Sequence, residues 1–187
     1  MLQPLLVTAL SLSSGATTAH VSLLTGAHVS DATGVSALLA ATFEVATPLD
    51  GEDEFYRLEF RAAASGLSTP TGAALESLIS ARVAFAYASV GLVAQLRPVT
   101  GLLRTDLVMA AGPSVGVRLL ERDHMQLRIA VHWMPFGTTF NAARTVAEVW
   151  GGWKALGFLV SGSPFVSETT PRGTAYFSAA VAVRFET

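Results

Sequence analysis

Four histidines and a set of evenly spaced arginines and carboxylates are the side chains best equipped for chemistry in this sequence. His20, His28, His124 and His132 lie apart, and none has a neighbour at a metal-ligand spacing such as His-x-x-x-His. With no cysteine, disulfides, thiolate chemistry and Cys-based zinc sites are excluded. No metal and no cofactor is expected. No serine is placed beside His132 by the sequence, so a Ser–His hydrolytic pair has no support, and His132 reads as a polar wall residue on the same parity as Gln126 and Arg128. Gly15, Gly26, Gly34, Gly151 and Gly152 form no phosphate-binding pattern, and the acidic run 50–54 reads as a solvated loop. An enzyme is not expected.

The charges carry more information through their spacing. Arg57, Glu59 and Arg61 alternate with Tyr56, Leu58, Phe60 and Ala62. Successive side chains of a strand point to opposite faces, so residues 54–64 read as a strand with one charged and one oily face. A helix would scatter the three charges over about 200° and leave no apolar stripe. The same parity rule holds elsewhere. Of the twelve Lys and Arg residues, nine (Arg57, Arg61, Arg82, Arg97, Arg104, Arg118, Arg128, Lys154 and Arg184) fall on the polar parity of a strand. Arg122, Arg144 and Arg172 are assigned to turns or loops. Glu44, Glu59 and Asp106 join the polar parity, and most other acids fall in turns.

The elements that would hold these residues are strands. Residues 5–13 read as a first strand, 18–29 as a second and 35–46 as a third, followed by the strand at 54–64. Residues 75–88 alternate, and the parity flips at 90–97, which requires a turn or bulge near Ser89. A buried helix over 72–96 is the competing reading. Ala111-Gly112-Pro113 reads as a turn between strands at 103–109 and 115–119. Residues 125–133 form a clean alternating strand, Gly151-Gly152 is a two-residue hairpin candidate, and 174–185 is the last strand. The tally is 11–12 strands, about 10–12 once a closed barrel is required, in a single domain over 1–187. Residues 1–19 read either as the start of that domain or as a weak signal peptide, whose basic n-region is missing because no Lys or Arg precedes Arg57.

Two architectures obey the parity rule, a soluble barrel with its oily face inside and a membrane barrel with its oily face outside. Charged residues make up 14% of the chain, against about 25% in an ordinary soluble domain, which is too few to cover a water-facing surface. The polar parity is also thin, carrying Ala84, Ala86, Ala88, Gly91, Val93, Ala180 and Ala182 beside the charges. Tyr56, Tyr87, Trp133 and Trp153 stand near strand ends on the oily parity, as an interfacial girdle requires. No run approaches the roughly 18 apolar residues of a spanning helix. With no Lys/Arg cluster and a net charge of −2, nucleic acid is not expected as a partner.

On these features the chain resembles the outer-membrane β-barrel proteins of Gram-negative bacteria, as a class. Its terminal strand, Ala-Tyr-Phe-Ser-Ala-Ala-Val-Ala-Val-Arg-Phe-Glu-Thr, looks like the strand by which such barrels are recognised for assembly, although Phe185 is followed by Glu186-Thr187 rather than ending the chain. The expected fold is all-β, a closed antiparallel up-and-down transmembrane barrel. Glu44, Arg57, Glu59, Arg61, Arg82, Arg104, Asp106, Arg118, Arg128, Lys154 and Arg184 would face the lumen, and the four aromatics would meet the lipid interface. The resemblance implies a bacterial outer-membrane location, with the lipid bilayer and the barrel-assembly machinery as partners. The function expected is a small channel or a structural membrane component, with pore and plug both open. A soluble barrel or sandwich that binds an apolar ligand or a protein is the alternative.

Overall fold

Burial alternates residue by residue along most of the long strands, and this alternation fixes the architecture. The computed structural model describes residues 17–30, 34–50, 53–69, 72–100, 105–122, 125–138, 144–163 and 175–186. The strands in chain order are β1 (Thr18–Ser30), β2 (Gly34–Asp50), β3 (Asp53–Thr69), β4 (Gly72–Phe85), β5 (Ala88–Thr100), β6 (Thr105–Arg122), β7 (Met125–Met134), β8 (Phe136–Gly137), β9 (Arg144–Trp153), β10 (Leu156–Ser163) and β11 (Tyr176–Glu186). All pairings are antiparallel. The order β5-β4-β3-β2-β1-β11-β10-β9-β7-β6 closes through an additional β5–β6 pairing. Leaving aside the two-residue β8, which extends the β7 side of β6, ten strands form a closed up-and-down barrel with no free edge.

One expectation is untested and several are corrected. The strand expected at 5–13 lies outside the described residues. The helix considered over 72–96 is the hairpin β4–β5, which turns at Ala86-Tyr87 because Phe85 pairs with Ala88. The turn expected at Ala111-Gly112-Pro113 lies inside β6, an 18-residue strand. Pro113 and Pro135 both lack an N–H, so the β6 ladder is interrupted between Ser114↔His132 and Ala111↔Phe136 while the strand runs on. Gly112 lets that passage close up, since a Cβ there would stand 2.0 Å from the Trp133 carbonyl oxygen. Gly151-Gly152 does not turn either. The β9–β10 turn is Lys154-Ala155, with Trp153 paired to Leu156. Lys154 takes φ of 53° and Ala86 of 44°, left-handed values unusual outside glycine.

The two ends of the barrel differ. At one end Asp50 pairs with Asp53, Phe85 with Ala88, Arg122 with Met125 and Trp153 with Leu156, so each connection has two residues. The start of β1 and the end of β11 lie at this tight end, since His20 pairs with Glu186. At the other end Ser30 pairs with Gly34, Thr69 with Gly72, Thr100 with Thr105, Met134 with Arg144 and Ser163 with Tyr176, which leaves connections of three, two, four, nine and twelve residues.

Candidate functional site

The interior of the barrel is where the charged side chains meet. On β3, Arg57, Glu59 and Arg61 share the inward face with Ala63 and Leu67, and Tyr56, Leu58 and Phe60 are exposed outside. Glu59, Arg61, Arg82, Arg118, Glu148 and Arg184 are all less than 10% exposed. Contacts between strands that are not neighbours place these groups inside the lumen. Arg61 on β3 pairs with Glu148 on β9, five strands away around a ring of ten and thus directly opposite. Arg128 on β7 reaches Glu44 on β2 at 3.7 Å, again straight across.

These pairs form a belt. Glu44 and Arg61 face each other in the β2–β3 register and meet at 3.3 Å. Arg61 crosses to Glu148, and Glu148 accepts from or pairs with His132 Nε2 at 3.3 Å. His132 and Arg128 are on one strand, and Arg128 crosses back to Glu44. The lumen is therefore spanned twice at one level. Toward the tight end Glu59 gathers Arg57 at 3.1 Å, Arg118 at 3.1 Å and Arg82 at 3.7 Å. Gln126 accepts from Arg184 at 3.0 Å and from Arg128 at 3.2 Å. Toward the other end Glu76 meets Arg144 at 3.3 Å and Arg97 at 3.8 Å. Arg144 lies over the Tyr176 ring at 5.5 Å, Tyr176 stacks on His28, and His28 bonds the Ser178 hydroxyl at 2.7 Å.

Apolar side chains fill the spaces between. Leu24, Leu38, Ala40, Leu67, Trp150, Ala180 and Ala182 pack on one stretch of the inner wall, and Leu78, Val93, Ala110, Met134 and Val146 on another. Described residues line two cavities within the barrel. One of about 70 Å³ lies between the belt and the end with the longer connections, bounded by Arg61, Glu148, Glu76, Gln95, Tyr176 and His28 among others. The second, about 20 Å³, lies inside the belt against Arg61, Arg82, Arg128, Glu44, Glu148 and Trp150. A water needs about 10–15 Å³, so the first holds a few waters and the second a single small occupant. Around these cavities the described lumen side chains pack like a core about their ions.

Of the expected lumen residues, Glu44, Arg57, Glu59, Arg61, Arg82, Arg118, Arg128 and Arg184 are brought together inside the barrel. Lys154 is a correction. It sits in the exposed β9–β10 turn with its amine 5.5 Å over the Trp153 ring, because the hairpin falls three residues later than Gly151-Gly152. Arg104 lies outside the described residues, and Asp106 lies at the start of β6, where only the backbone is described. Sequence reasoning missed Glu76, Arg144 and Glu148. Glu76 shares parity with Leu78 and Arg82, and Glu148 with Val146 and Trp150, so the two-residue period was available, but apolar neighbours on the same face masked it.

The structure also supplies the serine that the sequence could not place beside His132. Ser114 and His132 are register partners, with Ser114 Oγ and His132 Nδ1 2.9 Å apart, and Glu148 stands at the other ring nitrogen. A serine–histidine–carboxylate line of this kind is the arrangement used for acyl transfer. Here Ser114 and His132 are both 0% exposed, and neither lines either of the two cavities described above. An attacking hydroxyl needs a substrate carbonyl within about 3.5 Å, and a fully buried Ser114 does not present its hydroxyl to one. The line instead fixes Glu148 to receive Arg61.

The outer face is the inverse of the lumen. Among the described residues thirty-three large apolar side chains are exposed, and no charged side chain stands on the outer face of a strand. Tyr56, Tyr87 and Trp153 are exposed near the tight end and Trp133 near the other, Tyr87 within its turn.

No family model matches the chain, and no curated protein matches it. Among solved structures, a triple mutant of the Rh. blastica porin is 11% identical over 91% of this chain and 100% of that one, with a TM-score of 0.25. A chain described as "Asymmetric conductivity of engineered proteins" is 9% identical over the same shares, with a TM-score of 0.24. Likenesses this low carry no argument, so the functional reading rests on the chain's own geometry.

Proposed function

We propose that this chain is a barrel of a bacterial outer membrane, without enzymatic activity, whose lumen is closed by a plug of ion pairs. On this reading it acts as a structural membrane component and conducts only when the plug rearranges. The carrying observation is the inverted polarity: buried arginines and glutamates inside, and a continuous apolar surface outside. Soluble monomers rarely expose apolar patches above a few hundred Å², and among the described residues each of the ten long strands presents exposed apolar side chains outward. The girdle spacing supports the same view. Trp133 and Met125 are the ends of one outer row on β7, and Met125 pairs with Trp153. Eight residues at about 3.3 Å each, tilted about 40°, rise roughly 20 Å, close to the apolar band of about 25 Å in such barrels. Two-residue turns throughout one end, against connections of up to twelve residues at the other, are the pattern of the periplasmic and extracellular ends of outer-membrane barrels.

The test has two arms. The chain should need detergent or lipid to remain monodisperse; a stable monomer in plain buffer would overturn the membrane reading in favour of a soluble barrel with an apolar ligand or protein partner. In planar bilayers the folded barrel should show a closed baseline with at most brief events. A large, steady conductance would overturn the plug.

A further inference from the structure

We infer that the lumen binds one small monocarboxylate, of acetate to propionate size, at the end with the longer connections. Its carboxylate lies between Arg97 and Arg144, and its short tail enters the cavity of about 70 Å³. Arg97 on β5, Arg144 on β9 and Glu76 on β4 meet at that end. Arg144 Nη2 stands 3.3 Å from each Glu76 oxygen, and the Gln95 amide donates to one of them at 3.4 Å. Arg97 reaches the same carboxylate only at 3.8 Å, beyond hydrogen-bond length. Glu76 is the one acid paired with either guanidinium among the described residues, so two positive charges share one negative charge. The Arg144 Nε–H is also shut off from solvent and meets no acceptor among those residues. The Tyr176 ring, 5.5 Å from Arg144, offers it a π-face but no full charge. A second carboxylate supplies both the missing charge and the missing acceptor, and the planar fork of arginine suits it.

The cavity sets the size of the ligand. Glu76, Gln95 and Tyr176, which touch Arg144 or its partner, border it, and its wall includes Leu38, Leu67, Leu78, Val146 and Leu159. On its belt side Arg61 and Glu148 neutralise each other, and His28 is bonded to Ser178, so the charge that selects the ligand belongs to the Arg97–Arg144–Glu76 cluster. At about 10–15 Å³ for each water-sized atom, the cavity has room for about five. That admits a tail of a few carbons and excludes sugars, nucleotides and long acyl chains. Sulfate would match the charge but leave the apolar wall unused. The side chains of Arg97 and Glu76 are 30% and 20% exposed, so a solute reaches the cluster without passing the belt. This inference concerns the lumen and holds whichever solvent meets the outer wall.

The purified, folded barrel is titrated with isotope-labelled acetate and read by NMR, at ionic strength held constant with sodium chloride. The expected result is a saturable shift of the carboxylate signal, displaced by propionate and not by an equal concentration of sulfate. Arg97→Gln, at a partly exposed site, should weaken binding about tenfold, and Glu76→Gln, which removes the competing carboxylate, should tighten it about tenfold. A shift that never saturates, sulfate displacing as well as propionate, or an affinity that neither substitution moves would each overturn the site. Should either variant not fold, a crystal structure of the unsubstituted protein grown in propionate decides the matter. Density for propionate between Arg97 and Arg144 supports the inference, and none there sinks it.

Discussion

Glu59 holds three guanidiniums, those of Arg57, Arg82 and Arg118, with one carboxylate. Removing its charge breaks three buried or half-buried ion pairs at once. Glu59→Gln keeps the shape and should destabilise the barrel by about 3 kcal/mol, the range for breaking a buried ion pair, measured by urea unfolding in lipid vesicles. It should also raise the frequency of brief conductance events in bilayers, because the plug would lose its tightest node. Unchanged stability would mean that the arginines are satisfied without Glu59. On the outer face the logic reverses. Ile129 is exposed on the outer row of β7, midway along the strand. Ile129→Arg should oppose insertion by about 2–4 kcal/mol if that row meets lipid, read as lost folding into vesicles, whereas a soluble barrel would accept it without loss.

At the scale of the strand, the two-residue period told which face each side chain takes, and it did so best where polar and apolar residues strictly alternate, as in Arg57–Ala62 and Met125–Trp133. It failed where one face is apolar on both sides of the wall. Glu148 stands between Val146 and Trp150 on the inner face, and with Val149 and Ala147 outside, the segment reads as an unbroken apolar run. It also failed where local chemistry mimics a turn, as Gly112-Pro113 does in mid-strand and Gly151-Gly152 does near the end of β9. No parity rule could give the belt itself. Arg61 meets Glu148 because two strands stand opposite each other in a ring of ten, and Ser114 meets His132 because of register, which are properties of closure and pairing rather than of spacing. The actual turns reveal a local weakness. Ala86 holds a left-handed backbone with φ of 44°. Ala86→Gly should stabilise the β4–β5 hairpin by about 1 kcal/mol, seen as a higher thermal midpoint in detergent, and a lower midpoint would mean that the methyl group makes contacts that outweigh the strain.

For the whole molecule, the difference between the two ends sets an orientation. A chain without cysteine allows single-cysteine labelling in whole cells. Thr138→Cys, at the end with longer connections, should react with a membrane-impermeant maleimide, and Tyr87→Cys, in a two-residue turn, should not. The reverse pattern would invert the proposed orientation. The seam between β1 and β11 has a further consequence, which concerns time. It joins His20 to Glu186 and Ser30 to Tyr176, while every other junction in the ring joins strands close in sequence. Closing so long a loop is entropically the most demanding step of a meander, so the seam should form last and set the rate. Until then β1 and β11 are two unpaired edges, the species for which an assembly machine that shields edges would matter most. Gly26 sits at that seam, where a Cβ would fall 2.0 Å from the Ala179 carbonyl oxygen. Gly26→Ala should therefore slow closure by at least tenfold in refolding kinetics while leaving strand content acquired early unchanged. The clock of this barrel, on that view, is kept by a missing methyl group at its last joint.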